Sequence, residues 1–248
     1  MPRIRAKVDP GSRRRSFPRN SEVAILALVF DFDGLFLDAR AAEYQSWREV
    51  FVAHGTRIPG EDSREDTDPL PPSADLYSQL ERQLGESVNR EAIRQKIGTR
   101  TSELLSEQTL PSGIRNLIER AEELGLRLGI TSNAERSSVE TRLQRLALHE
   151  RFSAIGCTRD GEEKSRGPAL YHSLCAALDV NPHRSIAVES TALGVHSAKG
   201  AGLYCVSIPN ALTGTVSMDA ADLVLVSLDA MTLDEIIERA SRRNCPSP

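Results

Sequence analysis

The chain has 248 residues, 40% of them hydrophobic and 27% charged. That suffices for one large domain, or a core domain with a smaller insert, and is too apolar for global disorder. The formal net charge of −4 gives no reason to expect nucleic acid as a main partner, and no apolar run reaches the ~18 residues needed to span a bilayer.

Residues 1–21 stand apart. Arg3, Arg5, Lys7, Arg13, Arg14, Arg15 and Arg19 face a single acid, Asp9, and no apolar stretch precedes Ser21. The segment is therefore not built like a secretory signal and reads as a basic, disordered, solvated tail, with a weak polyanion-binding arm as the alternative. Cys157, Cys175, Cys205 and Cys245 lie far apart with no metal-ligand spacing, as expected of reduced, mostly buried thiols in a cytoplasmic protein.

Val23–Phe30 is a continuous apolar run that ends at Asp31. Apolar on both faces, it suits a central parallel strand covered on each side. No strand-like run follows until Leu110. Tyr44, Trp47, Val50 and Phe51 instead make one helical stripe, Leu76, Leu80 and Leu84 a second, and Ile93 and Ile97 belong to a third. The acidic loop 61–68 and Pro69, Pro71 and Pro72 separate the first two. This predicts a helical insert over 39–110, in which Trp47 and Tyr44 pack the insert's own core.

Beyond it, strand and helix patterns alternate. Ile114, Leu117, Ile118, Ala121 and Leu124 share a helical face, and Gly125 stops it. Leu126–Thr131 reads as a strand, Val139, Leu143 and Leu146 as a helix, and Phe152–Cys157 as a weaker strand. Leu170, Leu174, Ala177 and Leu178 mark a helix with Pro168 near its start. Ser185–Val188, Leu203–Ile208 and Asp222–Val226 complete the set of strands. The pattern predicts an α/β fold, a doubly wound parallel sheet formed by 22–38 and 111–248.

In such a sheet, ligands bind beyond the carboxyl ends of the strands. The polar residues there are Asp31 and Asp33, Ser132 and Asn133, and Glu189 and Ser190. Two carboxylates two residues apart face the same side of a strand end. One suits a nucleophile kept ionised by a nearby cation, the other an acid and base that moves a proton. Gly34 lets the chain turn away. Read alone, Ser132 has a helix cap as its alternative. His54, His149, His172, His183 and His196 have no ligand spacing and read as surface or helix residues.

VFDFDGLFLD, Val29–Asp38, resembles the first motif of the haloacid-dehalogenase superfamily, in the branch that includes β-phosphoglucomutase and sugar-phosphate phosphatases. The resemblance implies a Rossmann-like core whose helical insert is a cap that closes over the substrate. It also implies that Asp31 attacks phosphorus to form an aspartyl-phosphate and that Asp33 is general acid and base; Asp33 argues against the dehalogenases proper, which lack it. Ser132, with Asn133 beside it, then holds a phosphoryl oxygen. In Lys164–Tyr171 (KSRGPALY), Pro168 and Tyr171 match the family's run, and Lys164, one residue early, is the expected cation, with Arg166 the alternative. Glu189 matches an acid that holds Mg²⁺ together with Asp31 and Asp33, but the adjoining family acid is Ser190 here, the residue in the fourth ligand position. Ala39 and Arg40 also depart from the family pattern.

The resemblance thus implies a Mg²⁺-dependent phosphatase of a small phosphorylated metabolite, with neither nucleic acid nor a membrane as partner. A phosphomutase of the β-phosphoglucomutase type is the alternative within the enzyme class. A degenerate, weakly catalytic or phosphate-binding relative is the alternative outside it, suggested by Ser190, Arg40 and the displaced Lys164.

Overall fold

The computed structural model describes residues 24–59, 73–158, 167–209 and 217–243. The whole basic tail, the acidic loop with its prolines, Lys164, Arg166 and Cys245 lie outside the described residues. The described chain divides into two compact units. One runs through Phe36 and takes in Leu110–Pro209 and the residues from Met218 on; the other is built on Leu37–Thr109.

In the first unit, β1 (Ala27–Asp31), β2 (Arg127–Ser132), β3 (Ala154–Cys157), β4 (Ser185–Glu189), β5 (Tyr204–Ser207) and β6 (Leu223–Val224) form one six-stranded sheet of order β3-β2-β1-β4-β5-β6. Every pairing is parallel. The most apolar stretch of the sequence becomes β1, buried along its whole length between β2 and β4. The two sides of β1 face different layers. Ala27 and Val29 join a core with Leu174, Cys175 and Val195 from α6 (Pro168–Ala177) and α7 (Ala192–Gly200). Leu28 and Phe30 point the other way, and Phe30 meets the edges of Phe36 and Phe152 at 5.7 and 6.2 Å between ring centroids.

Four strands are shorter than the sequence pattern predicts: β3 begins at Ala154 and not at Phe152, β5 keeps only Tyr204–Ser207 of the run 203–208, and β1 and β6 are cut back further. The run at 23–30 is strand only from Ala27, although the Leu26 amide already bonds to the Arg184 carbonyl at 2.7 Å. The run Asp222–Val226 gives only the two residues of β6. At the sheet edge β6 pairs with β5 alone, with the Asp222 and Leu225 amides bonded to the Cys205 and Ser207 carbonyls at 2.9 Å, and Val224 and Val226 are 51% and 93% exposed at this open side.

The second unit holds α1 (Ala39–Ala53), α2 (Ser73–Leu84) and α3 (Arg90–Glu107). The three predicted stripes meet in one core of Trp47, Val50, Phe51, Leu76, Leu80, Ile93 and Ile97. Trp47 is fully buried and edge-on to Tyr77 at 4.9 Å. Arg100 pairs with Glu49 at 2.9 Å, and the Thr101 hydroxyl donates to Ser46 at 2.9 Å, tying α3 to α1. Asp38 caps α1 by accepting from the Ala41 amide at 2.8 Å. Its own backbone is clamped by Gln108, whose Oε1 accepts from the Asp38 amide at 3.0 Å and whose Nε2 donates to the Asp38 carbonyl at 3.2 Å.

Candidate active site

The strand order reverses at β1, with β2 on one side and β4 on the other. A crevice opens at such a switch point, beyond the carboxyl ends. Asp31 ends β1 and Glu189 ends β4; because Phe30 pairs with Val188, these two carboxylates stand level on neighbouring strands.

Asp31 is only 7% exposed. Its Oδ2 accepts from the buried Ser190 hydroxyl at 2.7 Å, and its Oδ1 accepts from the Asp33 amide at 3.3 Å. Asp33 has different partners. Its Oδ2 accepts from the Ser132 hydroxyl at 3.0 Å and from the Asn133 amide at 2.5 Å. Ser132 in turn accepts from the Ala134 amide at 3.0 Å, which fixes its hydroxyl as the donor toward Asp33. The Asp31–Ser190 and Asp33–Ser132–Asn133 groups are thus brought together as two hydrogen-bonded sets.

Glu189 is buried, and its Oε1 accepts from the Tyr171 hydroxyl. Burial lifts the Glu189 carboxyl well above the usual carboxylate range; the charge of Asp31, and less so that of Asp33, adds to the lift, and the Tyr171 bond opposes it. Burial and the Glu189 charge raise the Tyr171 phenol as well. Tyr171 is the site residue that sequence reasoning treated only as a register mark. An aromatic residue on an apolar helix looks like core, and its place three residues after Pro168 was its one signal.

Two glycines make these contacts sterically allowed. A Cβ on Gly34 would lie 1.8 Å from Ser190 Oγ, and one on Gly194 would lie 1.8 Å from Glu189 Oε2. Side chains at either position would displace the site.

Among the described residues, no three His, Cys, Asp or Glu side chains gather into a metal cage. Asp31 and Glu189 nevertheless offer two carboxylates on adjoining strand ends, mutually repelling in a buried setting. This donor set fits a hard divalent ion that keeps water and substrate oxygens in its shell, as Mg²⁺ usually does. Lys164 and Arg166, the expected cations, lie outside the described residues.

The family model for haloacid dehalogenase-like hydrolases matches residues 28–208. The chain belongs to that family. As a haloacid dehalogenase-like hydrolase it is an enzyme, and its parallel sheet is the expected Rossmann-like core. Among its relatives is YhcW of Bacillus subtilis, which carries a provisional phosphatase name; it is 31% identical over 89% of this chain and 100% of its own length. Hexitol phosphatase B of Escherichia coli is 25% identical over 86% of this chain and 97% of its own. Among solved structures, a variant of CbbY from Rhodobacter sphaeroides in complex with xylulose-1,5-bisphosphate is 27% identical, with a TM-score of 0.60 over 82% of this chain and 95% of that one.

Proposed function

We propose that this hydrolase is a Mg²⁺-dependent phosphatase of a small, sugar-phosphate-like metabolite. The observation that carries the reading is the separate support of its two aspartates. Asp31 is held by Ser190 and Asp33 by Ser132 and Asn133, so neighbouring carboxylates sit in different hydrogen-bond environments and suit different roles. The substrate class is supported by the relatives, one named for hexitol phosphates and one solved with a sugar bisphosphate.

In this reading Asp31 attacks phosphorus in line and the alcohol oxygen departs. Asp33 gives that oxygen a proton, then takes one from the water that cleaves the aspartyl-phosphate. The Ser132 hydroxyl and Asn133 amide, at the end of β2, seat a phosphoryl oxygen once Asp33 yields them. Lys164 supplies the positive charge that this chemistry needs. Asp31, the Asp33 carbonyl and Glu189 hold the Mg²⁺, which when bound offsets charge on the phosphoryl oxygens. Tyr171 anchors Glu189. The insert 39–110 acts as the cap that selects the substrate. A cytoplasmic location agrees with Cys157, Cys175 and Cys205 as buried thiols outside any disulfide. No helix among the described residues is long and apolar enough to cross a membrane.

The test is phosphate release from a panel of hexose, pentose and hexitol phosphates, with and without Mg²⁺. Release of free phosphate by the native chain, lost in Asp31→Asn, is the expected result. Conversion of glucose 1-phosphate to glucose 6-phosphate without net phosphate release would replace hydrolysis by a mutase reaction. No turnover of any compound would sink the catalytic reading.

A further inference from the structure

Ser190 stands where the family motif has an acid, and it does something an ionised carboxylate cannot do: it donates. Its hydroxyl is fully buried and bonds to Asp31 Oδ2 at 2.7 Å. The Ser190 side chain lies against Gly34, where a Cβ would come within 1.8 Å of Ser190 Oγ and 2.5 Å of its Cβ. The other Asp31 oxygen already accepts from the Asp33 amide. Both oxygens of the proposed nucleophile are therefore engaged by protein donors.

An ion that ligates Asp31 through Oδ2 shares that oxygen's negative charge with the Ser190 hydrogen, so each weakens the other's hold on it. A serine hydroxyl that turned its lone pairs to the ion instead would give up a charge-assisted bond for a neutral ligand, a poor exchange for a hard cation. We infer that Ser190 acts as a competitor of the divalent ion on Asp31 and not as one of its ligands. Ser190 then positions Asp31 in the resting enzyme, and the site takes up Mg²⁺ weakly. The inference rests on the proposed metal-dependent phosphatase reading and narrows it. A low-affinity site couples the ion to substrate, because phosphate oxygens must supply the ligation that position 190 does not.

The deciding variant is Ser190→Ala, compared with the native full-length chain and Ser190→Asp. Mg²⁺ and Mn²⁺ are titrated calorimetrically, and melting is followed at each metal concentration. If Ser190 competes, Ser190→Ala removes the rival donor. Its metal affinity then equals or exceeds that of the native chain, while its metal-free melting temperature falls by about 3–10 °C, the scale of a lost buried bond to a charged group in a domain of this size. Ser190→Asp, by adding an anionic ligand, tightens Mg²⁺ by about tenfold or more. If Ser190 is a ligand, Ser190→Ala binds Mg²⁺ several-fold more weakly than the native chain, and the inference is overturned with the phosphatase reading intact. Native affinity equal to that of a folded Ser190→Asp also overturns it. Should Ser190→Asp not fold, the native and alanine proteins still decide. If no folded form binds either metal, the inference fails together with the metal dependence, and p-nitrophenyl phosphate hydrolysis in EDTA then shows whether phosphatase activity itself stands.

Discussion

The hydroxyl of Ser132 and the carboxylate of Asp33, 99 residues apart in sequence, meet at 3.0 Å. Ser132 is buried at the end of β2 and has its own hydroxyl oxygen engaged by the Ala134 amide, so its proton points at Asp33. The residue expected to bind phosphate is thus bound to the residue expected to move the proton. A phosphoryl oxygen that takes the Ser132 and Asn133 donors releases Asp33 for acid–base work. Ser132→Ala should therefore raise KM for phosphorylated substrates and lower kcat together, and cost about 1.5–3 kcal/mol of stability as a lost bond to a charged group. Steady-state kinetics and denaturant melts check both. An effect on stability with unchanged KM would separate Ser132 from substrate binding.

Asp33→Ala should slow turnover by about 10²–10⁴, the usual scale of general acid–base catalysis. The loss should shrink for p-nitrophenyl phosphate, whose leaving group needs little protonation. Comparing that substrate with an alkyl phosphate measures the difference. Equal losses would remove the proton-donor role from Asp33.

The site's steric tolerance is set by Gly34. Gly34→Ala forces a carbon into Ser190 and should cost about 1–3 kcal/mol as overpacking. Ser190→Ala does not relieve the clash, since the Ser190 Cβ is itself within 2.5 Å of the new carbon. Ser190→Gly does. A double-mutant cycle should show Gly34→Ala/Ser190→Gly more stable than the sum of the single changes, and additivity would mean that the chain relaxes elsewhere.

Glu189 gives a pH dependence of definite sign. Its folded pKa is raised, so the folded chain binds this proton more tightly than the unfolded chain. Its contribution to stability is then most favourable at acid pH and declines as pH rises from the ordinary carboxylate range toward the raised folded value. In the metal-free protein, Glu189→Gln keeps an acceptor for Tyr171 but removes the ionisation. It should therefore melt higher than the native chain at pH 8, and the gap should close toward pH 5. Melting curves in EDTA across that range test it, and a gap that widens toward acid pH would reverse the assignment.

Much of this was legible in the chain. The apolar run before Asp31 announced a strand covered on both faces, because a central parallel strand, unlike one with a solvated face, buries successive residues. The period of Trp47, Val50, Leu76 and Leu80 announced the helical insert. The hydrogen-bond sets of the site were less legible. Nothing in the spacing of Asp31 and Asp33 tells which of them Ser190 will serve, since those contacts join residues 99 and 159 positions apart. Tyr171 was hidden because its ring is core and only its hydroxyl is site. The run at 222–226 was overread because hydropathy does not distinguish an edge from a centre.

The clamp between Asp38 and Gln108 bears on how such a chain could diversify. The two ends of the segment between them are joined by a pair of reciprocal hydrogen bonds. Its two ends are fixed together whatever lies between them, and the entropy of closing a loop grows only slowly with its length. Residues can therefore be gained, lost or exchanged inside the segment at small thermodynamic cost to its base. A graft of a relative's insert between Asp38 and Gln108 should fold if both clamp residues are kept. Selection can then rewrite what the insert contacts while the strand ends that carry the chemistry stay untouched.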